Sequence, residues 1–212
     1  MIEHKTISLA DQVFDHLEND ILSGKYQRGE ILTESKLSAE LGVSRTPIRE
    51  ALRRLEQEHI IEESGKGSVV IGINEKDLED IFMIRKSLEC QVAALAAKNR
   101  TEQLKQLREA LEFQEFYLNK KDPDQIKLMD SRFHETLYKL SGSTAFYDTL
   151  VPLHKKIQKY RRASVANSSR AEASVAEHRK IYEAIESQNT ALAAKYASEH
   201  VENAYKHIMR KD

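Results

Sequence analysis

The sequence predicts a mainly α-helical chain in two parts: three short helices with a β-hairpin, then an all-α antiparallel helical bundle. Three observations carry that expectation. Six of the seven glycines lie within the first 72 of the 212 residues. Glycine punctuates turns, so short elements should come first and long helices after. Apolar residues recur at helical spacing over most of the chain, and two β-rich runs between Ile60 and Ile71 flank the turn sequence Ser64-Gly65-Lys66-Gly67. The boundary is expected near Asn74, giving domains 1–74 and 75–212.

In the first part, Leu9, Val13, Leu17, Ile21 and Leu22 form a helical stripe that ends at Gly24. Thr33 caps a second helix, with Leu37 and Leu41 inward and Gly42 closing it. Ser44 caps a third, with Pro47 in its first turn and Ile48, Leu52 and Leu55 on the buried side. The runs Ile60 to Glu62 and Ser68 to Ile71 make the hairpin. Three helices and a hairpin in this order are a winged helix-turn-helix. From Glu75 onward, helices are expected over 75–98, 101–120, 123–141, 143–165, 170–188 and 190–210. Asp122-Pro123 and Ser141-Gly142-Ser143 mark two turns, and Pro152 should bend or restart the fourth of these helices. Helices of this length need a bundle to cover their apolar faces.

Composition narrows the class. With 40% hydrophobic and 32% charged residues, the chain can bury a core and is not a disordered tail. Thirty-three basic residues against 34 acidic ones leave a net charge of -1, so nucleic acid would have to be held by a local patch. The single cysteine, Cys90, excludes an internal disulfide and suits a reducing compartment. Charge throughout Met1 to Phe14 is unlike a signal peptide. The apolar-rich stretch Cys90 to Ala97 is far short of the ~20 residues a membrane helix needs. The expectation is a soluble, cytoplasmic protein with no membrane partner.

Arg45, Arg49, Arg53 and Arg54 fall within ten residues, opposed only by Glu50. The N-terminal turn of the third helix offers the Ser44 and Thr46 hydroxyls, free backbone N–H groups and Arg45, a set suited to phosphates and base edges. Arginine can bridge guanine O6 and N7 with two hydrogen bonds. Lys66 at the hairpin tip can reach a phosphate or the minor groove. Against this stands a plain solvated basic face, since residues 1–74 carry nine Lys/Arg and thirteen Asp/Glu. The run Leu37-Ser38-Ala39-Glu40-Leu41-Gly42-Val43-Ser44-Arg45-Thr46-Pro47-Ile48-Arg49-Glu50-Ala51-Leu52 closely resembles the helix-turn-helix signature of the GntR superfamily of bacterial transcription regulators. That resemblance implies double-stranded DNA contacts from Ser44, Arg45, Thr46 and Arg49, with Lys66 and Gly67 in the wing. Ser35 stands where many relatives have an arginine, and His59 where a glycine is common.

The helical remainder places polar residues where apolar ones belong. Asp130 and His134 fall at i, i+4 within the stripe of Ile126, Phe133 and Leu137. His178 interrupts Val175, Ile181, Tyr182 and Ile185, and His200 lies beside Ala197, Val201 and Ala204. A buried carboxylate and three imidazoles are costly unless satisfied, and one divalent cation (Zn²⁺, Ni²⁺, Mn²⁺ or Fe²⁺) satisfies all four. His4, His16, His59, His154 and His207 are read as surface or packing residues. Arg85 shares a face with Leu78, Ile81, Leu88 and Val92, so it should be buried and need an anion, either Glu89 one turn on or a bound carboxylate. Residues 149–171 hold six Lys/Arg and no Asp/Glu, and Arg161 or Arg162 is a further candidate for the cavity.

Arg85-Lys86-Ser87-Leu88-Glu89, Asp130 with Phe133-His134, Glu177-His178-Arg179, and His200 resemble the FCD effector domain of the FadR-like branch. The resemblance implies a divalent cation on Asp130, His134, His178 and His200, with a small carboxylate effector on the metal and Arg85. The combined expectation is a homodimeric regulator, most simply a repressor, whose two heads read a palindromic operator. Two alternatives accompany it: a metal-dependent enzyme acting on a small organic acid, and a regulator whose metal is purely structural.

Overall fold

The computed structural model describes residues 7–99, 102–164 and 168–209, with side chains described for 7–99, 102–158 and 170–209. The chain divides into two compact units, Met1–Asn74 and Glu75–Asp212. It is mainly helical, with a small wing in the first unit and an all-helical second unit.

In the first unit, α1 (Leu9–Leu22) starts at Ser8, whose side chain accepts from the Asp11 amide. Strand β1 (Ile31–Leu32) leads to α2 (Glu34–Leu41), capped by Thr33, which accepts from the Lys36 amide. Gly42 ends α2 in the left-handed conformation, φ 67°, with its N–H on the Ser38 carbonyl. Helix α3 (Arg45–Gln57) follows, then β2 (Ile61–Ser64) and β3 (Gly67–Val70). Leu17, Leu32, Leu37, Ile48, Leu55, Ile60 and Val70 close the core under these elements.

Three details differ from expectation. Leu9 is exposed at the start of α1, where a first-turn residue overhangs the core edge. Ser44 sits at the N-cap of α3 but its side chain makes no capping hydrogen bond. The hairpin gains a third strand, in the order β1-β3-β2, with Ile31 opposite Val69 and Ile61 opposite Val70. A two-residue strand is too short to show alternation, so periodicity could not find β1.

The same edge explains Gly67. Its φ is +132°, and a Cβ there would lie 2.6 Å from the Leu32 carbonyl oxygen. Gly67→Ala is expected to destabilise the first unit by about 1–3 kcal/mol through backbone strain. Denaturant titration would show this as a lowered midpoint, and an unchanged midpoint would mean the β1–β3 edge relaxes freely.

The second unit comprises α4 (Glu75–Lys98), α5 (Gln103–Lys120), α6 (Pro123–Leu140), α7 (Thr144–Ser164), α8 (Ser168–Glu186) and α9 (Thr190–Met209). Asp122 caps α6 through the Gln125 amide, with Pro123 in the first turn. Helix α4 packs along α9, α5 against α6, and α8 against α5 and α9. Alanines on α4 (Ala93, Ala96, Ala97) and α9 (Ala193, Ala197) are buried and let backbones approach closely. Helix α7 does not restart at Pro152. The proline lies on its exposed side, where water can satisfy the carbonyl it leaves unpaired. Among the described residues, no helix is long and apolar enough to cross a membrane.

Candidate functional site

Asp130 and His134 are one turn apart on α6, so they share a face, and that face is directed into the second unit. His178 on α8 is fully buried, while His134 and His200 are 1% and 4% exposed. The ring centroids of His134, His178 and His200 lie 4.6–5.2 Å apart, and one nitrogen from each falls within 4.8 Å of the others. Asp130 Oδ1 is 3.9 Å from His178 Nε2. The four residues therefore converge.

Neighbouring groups fix which nitrogen each imidazole offers. The Gln114 amide nitrogen donates to the Met129 carbonyl at 3.0 Å, which directs its oxygen to His178 Nδ1 at 2.8 Å. His178 thus donates from Nδ1 and keeps a lone pair on Nε2, a buried atom without a hydrogen-bond partner among the described residues. His200 Nδ1 lies 2.7 Å from Glu177 Oε2. That carboxylate is held by two hydrogen bonds from Arg170 and one from Asn203. Such outer partners orient an imidazole and raise its basicity toward a cation.

Electrostatics favour the ligand forms. Burial, then the neighbouring His200, pushes His178 down to about 3. Burial, then His154, holds His134 well below the ordinary histidine range. Burial alone would raise Asp130, but its hydrogen bond with His154 and the surrounding imidazoles hold it well below the usual carboxylate range. Glu177, despite the opposing effect of burial, is drawn down to about 2 by His200 and Arg170. Neutral imidazoles beside an ionised carboxylate are what a divalent cation requires. The buried, partnerless His178 Nε2 makes the residues present a fit for one. Gln114→Ala should weaken cation binding about 10–100-fold by freeing the His178 ring. A competition titration against a chromophoric chelator checks this, and unchanged affinity would remove Gln114 from the positioning role.

His154, expected as a surface or packing residue, is buried: it is 5% exposed on α7, its ring centroid 4.2 Å from that of His134 and its Nε2 3.4 Å from Asp130 Oδ2. Arg85, 2% exposed, donates from Nε to Glu89 Oε1 at 2.6 Å, and the Tyr138 hydroxyl donates to the same oxygen at 2.9 Å. Glu89, one of the two anions expected for it, is thus paired with it. The side chains of Arg161 and Arg162 lie outside the described residues.

On the first unit, Ser44, Arg45, Thr46, Arg49 and Lys66 are exposed and Gly67 is half-buried. Arg49 makes a bidentate pair with Glu34, at 2.7 and 2.8 Å. Arg54 turns back to Asp11 at 2.6 Å and lies over the Phe14 ring, so it belongs to the packing of α1 on α3.

Residues 9–71 match the model of the bacterial regulatory proteins of the gntR family, and residues 80–203 match that of the FCD domain. The chain belongs to the GntR family, in the FadR-like branch that carries an FCD domain. Its relatives are named as transcription regulators rather than enzymes. It is 42% identical over 118 residues to the gluconate operon transcriptional repressor of Bacillus licheniformis, a match spanning 55% of this chain and 49% of that protein. It is 28% identical over 193 residues to the HTH-type transcriptional repressor RspR of Escherichia coli, 90% of this chain and 85% of that one. The solved structure of E. coli McbR/YncC shares the fold, with a TM-score of 0.75 at 23% identity over 96% of this chain and 100% of that one. As a GntR protein, the chain is a DNA-binding transcription regulator.

For this GntR–FCD regulator, periodicity missed one buried imidazole that it could have found. His154 lies on a stripe with Leu150, Val151, Ile157 and Gln158, all buried. Gln114 carries the same signal, since it falls on the α5 stripe of Leu104, Leu107, Leu111 and Leu118, but its partners on α6 and α8 do not show in the sequence.

Proposed function

We propose that this GntR–FCD protein is a homodimeric, metabolite-responsive repressor. Two heads read a palindromic operator through Ser44, Arg45, Thr46, Arg49, Lys66 and Gly67, with recognition helices about one DNA turn (~34 Å) apart. Asp130, His134, His178 and His200 hold a divalent cation, of the Zn²⁺, Ni²⁺, Mn²⁺ or Fe²⁺ class. A bound cation supplies a Lewis-acid centre for an anionic oxygen. A small carboxylate effector then binds there and at Arg85, where it competes with Glu89 for the guanidinium. The repressor sense is supported by the likeness to the gluconate operon repressor and RspR, both of which are named as repressors.

The observation that carries the reading is the His178 Nε2 lone pair, buried and partnerless beside Asp130. An unsatisfied buried acceptor costs about 1–3 kcal/mol, a cost that ligation removes. For the effector to shift operator occupancy tenfold, it must prefer one state by about 1.4 kcal/mol.

The test has two readings on the full chain. Metal analysis of purified protein should give one divalent cation per chain. Fluorescence anisotropy on a selected operator should then show at least a tenfold affinity change across a panel of small carboxylates. Metal without any carboxylate response would leave a structural cation, and no metal at all would overturn the site.

A further inference from the structure

We infer that His154 is a fifth protein ligand, so that the cation of this chain is held by four imidazoles and one carboxylate drawn from α6, α7, α8 and α9. The inference rests on the cation reading above and extends it to a residue outside that set.

The surroundings of His154 fix which nitrogen it offers. The Ser131 hydroxyl donates to Gln158 Oε1 at 2.8 Å, so the Gln158 amide nitrogen faces Asp130 Oδ2 at 2.9 Å and His154 Nε2 at 3.0 Å. A proton on Nε2 would confront that amide donor. A proton on Nδ1 instead sits on a buried atom with no hydrogen-bond partner among the described residues. With Nδ1 protonated, the Nε2 lone pair is presented beside Asp130 Oδ2, 3.4 Å away. There it accepts from the Gln158 amide, and a cation between Nε2 and the carboxylate would take that lone pair in the amide's place.

The spacing suits one ion. Donors 2.0–2.2 Å from a common cation lie about 3 Å apart when adjacent and about 4 Å apart when opposite. Asp130 sets one oxygen 3.9 Å from His178 and the other 3.4 Å from His154, and donor atoms of Asp130, His134 and His154 lie within 4.8 Å of one another. His134 thus belongs to both imidazole groups, and Asp130 faces one further member of each. Charge also favours one ion over two. Arg85 is paired with Glu89 and Arg170 with Glu177, so a second divalent cation would meet no further unpaired carboxylate in this set. Five protein donors exceed the four of a closed tetrahedral zinc site. A six-coordinate ion would keep a single position for an exogenous oxygen, so an effector would ligate through one atom rather than as a chelate.

Co²⁺ is the probe, added to the metal-free full chain and to His154→Ala and His154→Gln, with circular dichroism reporting the fold of each. Wild-type protein should bind one equivalent with the weak d–d absorption of five- or six-coordinate Co²⁺. Both variants should shift toward the intense bands of four-coordinate Co²⁺ and bind at least about tenfold more weakly. X-ray absorption should count four imidazoles in the wild type and three in the variants. Unchanged spectrum and affinity in the folded variants would overturn the His154 assignment while leaving the four-residue site intact. Two equivalents per wild-type chain would overturn the single-ion form. Failure of the wild type to bind would remove the cation reading itself.

Discussion

Replacing His178 with alanine is expected to lower divalent-cation affinity by more than about 100-fold, beyond what loss of an orienting neighbour alone costs. The residue is fully buried, its Nδ1 is engaged by Gln114, and its other nitrogen has no hydrogen-bond partner among the described residues. Alanine also removes packing, because the imidazole stacks on Phe133 with ring centroids 4.3 Å apart. His178→Phe separates the two effects. It fills the space without offering a donor, so it should lose cation affinity as fully as alanine does. The metal-free phenylalanine variant should be less destabilised than alanine because it keeps the packing on Phe133, although it leaves the buried Gln114 oxygen without its donor. Chelator competition gives the affinities and denaturant titration the stabilities. Affinity within twofold of wild type in either variant would remove His178 from the ligand set. Metal-free variants should still bind the operator, because the DNA-reading side chains lie in the other unit.

Arg45→Ala should weaken operator binding by about 1–3 kcal/mol, a five- to 150-fold loss, if the guanidinium spans a guanine. Arg45 is the clean reporter on this surface. Arg49 is tied to Glu34 and Arg54 to Asp11, so replacing either would remove an ion pair within the first unit as well as the contact. Discrimination at one operator position should relax for a base contact, whereas a phosphate contact would weaken all sequences alike. Cation binding should be unaffected. Wild-type operator affinity in Arg45→Ala would take this residue out of the interface.

What the sequence made legible was whatever repeats along one helix. The stripes on α6, α8 and α9 located Asp130, His134, His178 and His200 because an imidazole among apolar neighbours stands out at 3.6-residue spacing. Arg85 stood out in the same way on α4. What remained hidden depends on pairing between elements. The Gln114 link joins α5 to α8, and the Glu34–Arg49 pair joins α2 to α3. Strand β1 exists only because β3 lies beside it. Gly67 resembles a DNA-contacting wing residue in sequence, and only the packed edge shows that a side chain there would strike Leu32. His154 differs from these, since its stripe with Leu150, Val151 and Ile157 is present in the sequence.

The pairing of Arg49 with Glu34 bears on how the free protein meets a polyanion. Two charges on the reading surface cancel before any duplex arrives, in a domain that is already acidic. Seating Arg49 on a nucleotide is then an exchange of one anion for another, and the vacated carboxylate must be turned away or rehydrated. Fewer condensed counterions are displaced than four arginines in ten residues would suggest, so binding should fall off less steeply with ionic strength than that number implies.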